Sequence, residues 1–364
     1  MDAVVIAQLE VLPSAPKPGS ATDEVPKARF KIVEIIKGQS LLAKKPMIET
    51  VYFGDAKKGK KFMITGVGPE NIQWSTPLSL SERAQAYLQQ LGKVAKAGAE
   101  RLEFFQQYLE DKDDLLARDS YDEFAKSPYE AVQALKPKMN HDQLVNWVKD
   151  SNIPASRRRL YYTMLGVCGS KDDIGTLETL VKSSDRKEKA GLDALIACYL
   201  MLKGPEGVGL IEDLYLKNKS AEYADTYAAI MALRFHGNDV KVIERPRIVQ
   251  AVRHMLDRPN LADLVIPDLA KWEDWSSMEK LVKLFKEAKE DSSWVKLPVV
   301  NYLRACPLPE AKVHLEELAK LDPEVVKRAM NYYPTAPGTE PTPPEGVAKP
   351  ETPAAPTTPA PSNP

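Results

Sequence analysis

The sequence predicts a multidomain α+β chain. A small N-terminal antiparallel β barrel or sheet with a closing helix spans residues 1–93, a mainly α superhelix of paired helices spans 99–332, and a disordered tail spans 333–364. Three observations carry this reading. Apolar side chains alternate with a period of two near the N-terminus, recur every three to four residues from about residue 100, and almost vanish at the C-terminus.

Four segments have the alternating pattern of half-buried strands: "DAVVIAQLEVL" (2–12), "KARFKIVEIIKG" (27–38), "PMIETVYFG" (46–54) and "KGKKFMITGVG" (58–68). Turn-formers bound them, including Pro13, Pro16, Pro18-Gly19, Gly38, Gly54-Asp55 and the run Gly66 to Pro69. In "PLSLSERAQAYLQQLG", Ser79 stands three residues before Glu82, the spacing of a capping box, and Ala84, Tyr87, Leu88 and Leu91 follow at helical spacing. This helix is expected to close the β module.

Helical patterns then follow one another in short, closely connected pairs. Pro128, Pro154, Pro205, Pro246, Pro309 and Pro323 stand where such helices begin, a position at which the missing amide hydrogen costs nothing. The more apolar helix of each pair is anchored at Leu165, Tyr199 and Leu233, 34 residues apart, and then at Leu269 and Tyr302. Pro267 and Pro298 fall at matching points of two successive inner helices and are expected to bend them. Helix pairs repeating at this interval bury their apolar faces only against their neighbours, as in an α-solenoid. The tail, "TAPGTEPTPPEGVAKPETPAAPTTPAPSNP", holds no large apolar residue beyond Val347, so it has too little surface to bury to offset ordering.

Composition narrows the function classes. Lys plus Arg (50) and Asp plus Glu (51) leave a net charge of -1, so the whole chain exerts no attraction on a polyanion and a nucleic-acid role starts weak. Cys168, Cys198 and Cys306 lie in separate apolar helical stretches with no CxxC pair, which excludes a zinc ribbon and reads as buried thiols. No stretch approaches the ~18 consecutive apolar residues of a membrane helix. Met1-Asp2 leads directly into the first strand without a signal peptide, which implies that an upstream piece is missing.

The helical region resembles the HEAT-like repeat family, on "ARDSYDEFA" (117–125), "EKAGLDAL" (188–195) and "RRLYYTML" (158–165). "DAVVIAQL", "ARFKIVEIIKG", "GKKFMITG" and "PLSLSERAQAYLQQL" look like the oligosaccharide-binding-like barrel of netrin and metalloproteinase-inhibitor type, although the cysteines of that family are missing before Cys168. The combination resembles a family of uncharacterised exported bacterial proteins. That resemblance implies an extracytoplasmic location, periplasmic or secreted, with the cytoplasm as the second reading.

His141, His236, His254 and His314 lie in separate helices without an HExxH pair. "GPEGVG" (204–209) and "GVGPEN" (66–71) match neither a phosphate loop nor a dinucleotide fingerprint, and no nucleophile elbow is present. The acidic run 110–123 lacks the glycine and terminal glutamate of a calcium loop, and Asp113 and Asp114 read instead as a helix N-terminus. Neither a catalytic residue nor a cofactor nor a metal is expected.

Two stretches remain as candidates for binding a partner. If Leu160, Met164 and Cys168 form the buried stripe of their helix, Arg158, Arg159 and Tyr162 point away from it toward an acidic partner. The competing reading pairs the arginines with acids of adjacent repeats, such as Asp193 and Asp225. Trp272 and Trp275, close to a turn, are either interface anchors or wedges between repeats. The expectation is a non-catalytic interaction or scaffold protein, not an enzyme, whose partner is another protein. A redox or metal-linked accessory acting through a missing Cys-containing segment is the alternative, and a nucleic-acid-binding solenoid using Arg157 to Arg159 is the weakest.

Overall fold

The computed structural model describes residues 1–12, 25–42 and 46–332 and forms two compact units, Met1–Cys198 and the residues from Tyr199 onward. The proline-rich tail and the turn-formers Pro13, Pro16 and Pro18-Gly19 lie outside the described residues.

The first unit opens with the expected strands: β1 (Ala3–Val11), β2 (Lys27–Lys37), β3 (Met47–Val51) and β4 (Lys61–Val67). With the short β5 (Gln73–Trp74) and β6 (Leu78–Ser79) they make one nearly closed antiparallel sheet, ordered β3-β2-β1-β4-β5 with β6 on β4. The period of two sends Val5, Ala7 and Leu9 of β1 inward with Phe30 and Phe62. There Phe30, Phe62 and Tyr52 meet edge to face with centroids 5.4 to 5.7 Å apart. Gly38 ends β2 at φ +89°, and a Cβ there would stand 2.6 Å from the Asp2 carbonyl, so the turn into α1 (Gln39–Leu42) requires glycine.

The closing helix, α2 (Glu82–Leu91), is capped two residues later than expected. Ser81, not Ser79, accepts the Ala84 amide at 3.0 Å, because Ser79 pairs with Phe62 and the Leu80 amide bonds the Lys61 carbonyl, holding the chain extended to that point. Toward the sheet, Lys61 donates to Gln85 and Gln89 to Glu34. Tyr87 turns the other way, stacking on Phe104 and donating to Asp119 at 2.5 Å. Burial, then this bond to Asp119, pushes the Tyr87 phenol far up, so it stays a donor.

The helices that follow are α3 (Ala99–Gln106), α4 (Asp114–Lys126), α5 (Tyr129–Ala134), α6 (His141–Lys149), α7 (Ala155–Cys168), α8 (Ile174–Lys182) and α9 (Leu192–Lys203). Asp113 caps α4, accepting from Leu115, as the acidic run implies. The second unit continues with α10 (Val208–Ile211), α11 (Tyr223–Asn238), α12 (Arg245–Val252), α13 (Ile266–Lys271), α14 (Met278–Glu287), α15 (Lys296–Ala305), α16 (Pro309–Leu321) and α17 (Pro323–Tyr332). The six prolines stand at helical starts as expected. The anchors Leu165, Tyr199, Leu233, Leu269 and Tyr302 are all buried.

Pro267 and Pro298 do not bend helices. Each lies in the first turn, of α13 and α15, where a preceding 3-10 turn gives way to α-helix and no amide is needed. The helical run Leu192–Leu216 is, by length and composition only, long and apolar enough to cross a membrane, and 44% of its most apolar stretch is buried.

Within each unit, side chains reach the equivalent position of the next repeat. Tyr87 meets Asp119 and His141 meets Asp173 across 32 residues, and Arg159 meets Asp193 across 34. In the second unit Arg234 meets Asp268, and Trp272 donates to Asn238, each across 34. These offsets are the repeat length expressed as hydrogen bonds.

One rung is pH-sensitive. His141 Nε2 lies 2.9 Å from Asp173 Oδ2 and Nδ1 lies 3.1 Å from Asp142 Oδ1, and the bond to Asp173, then that to Asp142, raises the imidazole pKa. A raised folded pKa contributes stability that is full below the unfolded value of ~6.5 and is lost as pH rises through the folded value. Thermal melts of the wild type and His141→Gln should therefore differ most near about pH 6, and the gap should narrow as pH rises above the unfolded value. A gap independent of pH would show that the imidazole carries no linked charge.

Candidate functional site

The basic run of α7 is built into the fold. Arg158 is fully buried and donates to four acceptors: the carbonyls of Lys187 and Glu188 before α9, the Val148 carbonyl at 2.9 Å and the Tyr162 hydroxyl at 2.8 Å. Tyr162 is also fully buried and donates to Val148, with the Arg158 guanidinium 5.6 Å from its ring centroid. The expectation that both point outward is therefore corrected. The buried face of α7 carries Arg158, Tyr161, Tyr162 and Leu165 beside the expected Met164, whereas Leu160 and Cys168 are only half-buried. A guanidinium suits this place because Val148 lies in the last turn of α6, where carbonyls lack helical partners and the dipole favours a cation. Gly191, at φ +81°, lets the chain pass beside Arg159, and a Cβ there would lie 3.2 Å from Arg159 Cγ.

Arg159 is exposed but held by Asp193 at 2.8 Å, and Arg157 by Glu110 at 3.0 Å. Pairing with neighbouring repeats is thus the outcome for both. The tryptophans resolve in the same way. Trp272 is 8% exposed, bonds Asn238 and fills the space beside Gly237, where a Cβ would stand 2.5 Å from its ring. Trp275 is half-buried, edge to face with Tyr302 at 5.2 Å. Both are wedges between repeats.

Other clusters are also satisfied internally. A cavity of about 390 Å³ in the first unit is lined by Arg83, Gln107, Glu110, Asp111, Gln143 and Trp147 among others, but Arg83 pairs with Asp111 at 2.5 Å and Glu110 accepts from Arg157 and Tyr161. Buried Glu212 faces Arg247 at 2.5 Å, Lys217 at 3.6 Å and His254 at 3.7 Å; desolvation pushes its pKa up, and the cations, led by Arg247, bring it below the ordinary range. Burial pushes the Cys168 and Cys198 thiols up, away from the reactive thiolate. Among the described residues, no group of three or more His, Cys, Asp or Glu side chains is placed to hold a metal.

One cluster lacks such pairing, and it lies in the β module. The end of β1 near Val11 is flanked on one side by β2, where Arg29 faces Val11 and Lys31 faces Gln8. On its other side is the turn before β4, where the Gly59 amide bonds the Leu9 carbonyl and the Leu9 amide bonds the Lys60 carbonyl. Lys27, Arg29, Lys31, Lys57, Lys58 and Lys60 are all exposed, and among the described residues only Lys58 makes an ion pair, with Glu10 at 3.3 Å. Among the described residues, Glu49, opposite Arg29, and Asp55 are the other acids close by in strand pairing or sequence. Phe53, 74% exposed, follows the Tyr52 amide that bonds Pro26 beside Lys27. The motifs "KARFK" and "KKGKK" signal this cluster in the sequence, but the neutral total charge hides it.

No family model matches the chain, and no curated protein matches it. Two solved structures are similar in part. One, human deoxyhypusine hydroxylase in complex with glycerol, is 17% identical with a TM-score of 0.26, covering 69% of this chain and 88% of its own. The other, an engineered protein, is 17% identical with a TM-score of 0.28, covering 63% and 93%. The first is an enzyme, and the expectation of a non-catalytic scaffold that is no enzyme is corrected to one that leaves catalysis open. At these scores the likeness transfers no reaction, substrate or metal. The redox accessory and the nucleic-acid solenoid are not favoured either.

The contrast between Arg158 and Arg159 is measurable. Arg158→Met removes a fully buried guanidinium that donates to three carbonyls and the Tyr162 hydroxyl, while the Val148 and Lys187 carbonyls keep the Tyr162 hydroxyl and the Ala190 amide as donors, so about 2 kcal/mol should be lost in urea unfolding. Arg159→Met, which breaks an exposed pair, should cost under ~1 kcal/mol. Equal losses would sink the assignment of Arg158 as the buried clamp.

Proposed function

We propose that this protein binds an anionic polymer through the cationic end of its β module. The observation that supports this reading is the gathering of six exposed cations around the end of β1, against Glu10, Glu49 and Asp55 among the described residues, in a chain whose total charge is -1. A chain that pairs so many of its arginines across repeats leaves these cations to solvent. Mobile lysines spaced along a strand and a turn suit a ligand with closely spaced phosphate, sulfate or carboxylate groups, which they meet as point charges without fixed geometry. Local density also accounts for attraction where net charge does not, since the Debye length of ~8 Å at physiological salt confines the field to the patch. No reaction is part of this proposal.

Inorganic polyphosphate, titrated against the full chain, tests the reading. Affinity should fall on the order of a thousandfold between about 50 and 200 mM salt if all six cations engage. The variant K57E/K58E/K60E should lose most of the affinity while melting within ~0.5 kcal/mol of wild type, as exposed substitutions do. Binding that survives charge reversal, or no binding at low salt, would refute it.

A further inference from the structure

Helix α11 carries an apolar ridge that nothing in the second unit covers among the described residues. Tyr223, Tyr227 and Met231 are 59%, 39% and 38% exposed and follow one another at i, i+4 and i+8 on one face. The two tyrosine rings lie nearly parallel, 11° apart in plane with centroids separated by 6.1 Å. Beyond Met231 the ridge ends at Arg234, which bonds both the Met231 sulfur and Asp268. At 1.5 Å per residue the ridge is about 12 Å long.

The occupant is indicated by the chain itself. Helix α17 of the same unit ends at Tyr332, and 32 residues of sequence follow it. Within them, Pro350, Pro353, Pro356 and Pro359 recur every third residue. A polyproline II segment has three residues per turn and rises ~3.1 Å per residue, so these prolines would share one edge at intervals of ~9 Å. Two of them span most of the ridge. Proline rings pack on tyrosine faces, and such a segment loses little entropy on docking because its backbone is already extended. Seventeen residues separate Tyr332 from Pro350, a reach of up to ~50 Å, several times the ~14 Å radius of gyration of a unit this size.

We infer that the proline-rich C-terminal segment 350–359 docks on the Tyr223–Tyr227–Met231 ridge of its own chain. The tail then acts as a tethered cover for this face of α11. Its effective concentration is of order millimolar, so even a weak contact is populated.

Hydroxyl-radical footprinting of the full chain reads this directly, with Phe53 of the β module as internal reference because it is 74% exposed. In the variant P350S/P353S/P356S/P359S, modification of Tyr223, Tyr227 and Met231 should rise at least about threefold relative to Phe53, the change expected when a mostly docked segment is released. Protection in the wild type should be the same at about 1 and about 50 μM protein, since docking within one chain does not depend on concentration. Unchanged modification in the variant would overturn the inference. Protection that appears only at the higher concentration would overturn it too, by making a second copy the occupant.

Discussion

The helical region depends on one constraint: each repeat must bond the next at a fixed offset of about the repeat length. Helices of four to sixteen residues are marginal alone in water, so their order comes from neighbours. The apolar anchors supply burial, but burial has no direction. Registration comes from directed contacts, such as Tyr87 to Asp119, Arg159 to Asp193, Arg234 to Asp268 and Trp272 to Asn238, each spanning 32 or 34 residues. The deepest is Arg158, whose guanidinium satisfies carbonyls at the end of α6 and ahead of α9 together. The two terminal nitrogens carry these bonds while Nε has no partner among the described residues, and because a buried cation is costly to strip of acceptors, this site tolerates few alternative arrangements.

Helix α2 shows how the same constraint joins dissimilar parts. Its sheet side meets Lys61 and Glu34, while Tyr87 and Ser81 bond Asp119 and Asp113 of α4 at the offset used by later repeats. The helix that closes the β module therefore also serves as the first layer of the helical array. The two parts differ in how they treat charge. Helical arginines are largely absorbed into the ladder, whereas the lysines around the end of β1 remain exposed. Net charge is blind to this segregation.

The candidate residues of α7 illustrate why a periodicity argument misplaces a face. Assigning the stripe to Leu160, Met164 and Cys168 assumes that arginine and tyrosine prefer solvent. Here the helix is turned so that Tyr161, Tyr162 and Leu165 face inward and Arg158 goes with them. The rotation is stabilised by acceptors on α6 and on the loop before α9, which no local window contains. Ser79 fails as a cap for a related reason, since its pairing with Phe62 across the sheet extends the strand past a sound local cap. Pro267 and Pro298 leave their helices straight because 3-10 turns place them at helix starts.

The sequence by itself determined the order of elements: four strands within a few residues, the prolines that open helices, and the repeat anchors from Leu165 to Tyr302. These were legible because period and backbone chemistry act over one or two turns of chain. Tertiary structure alone decided which polar side chains are spent inside the fold and which remain exposed. Arg158 and Trp272 went inward and Lys57, Lys58 and Lys60 stayed out. That choice depends on acceptors 30 or more residues away and on strands paired across the sheet, so the pattern of charges along the chain does not contain it.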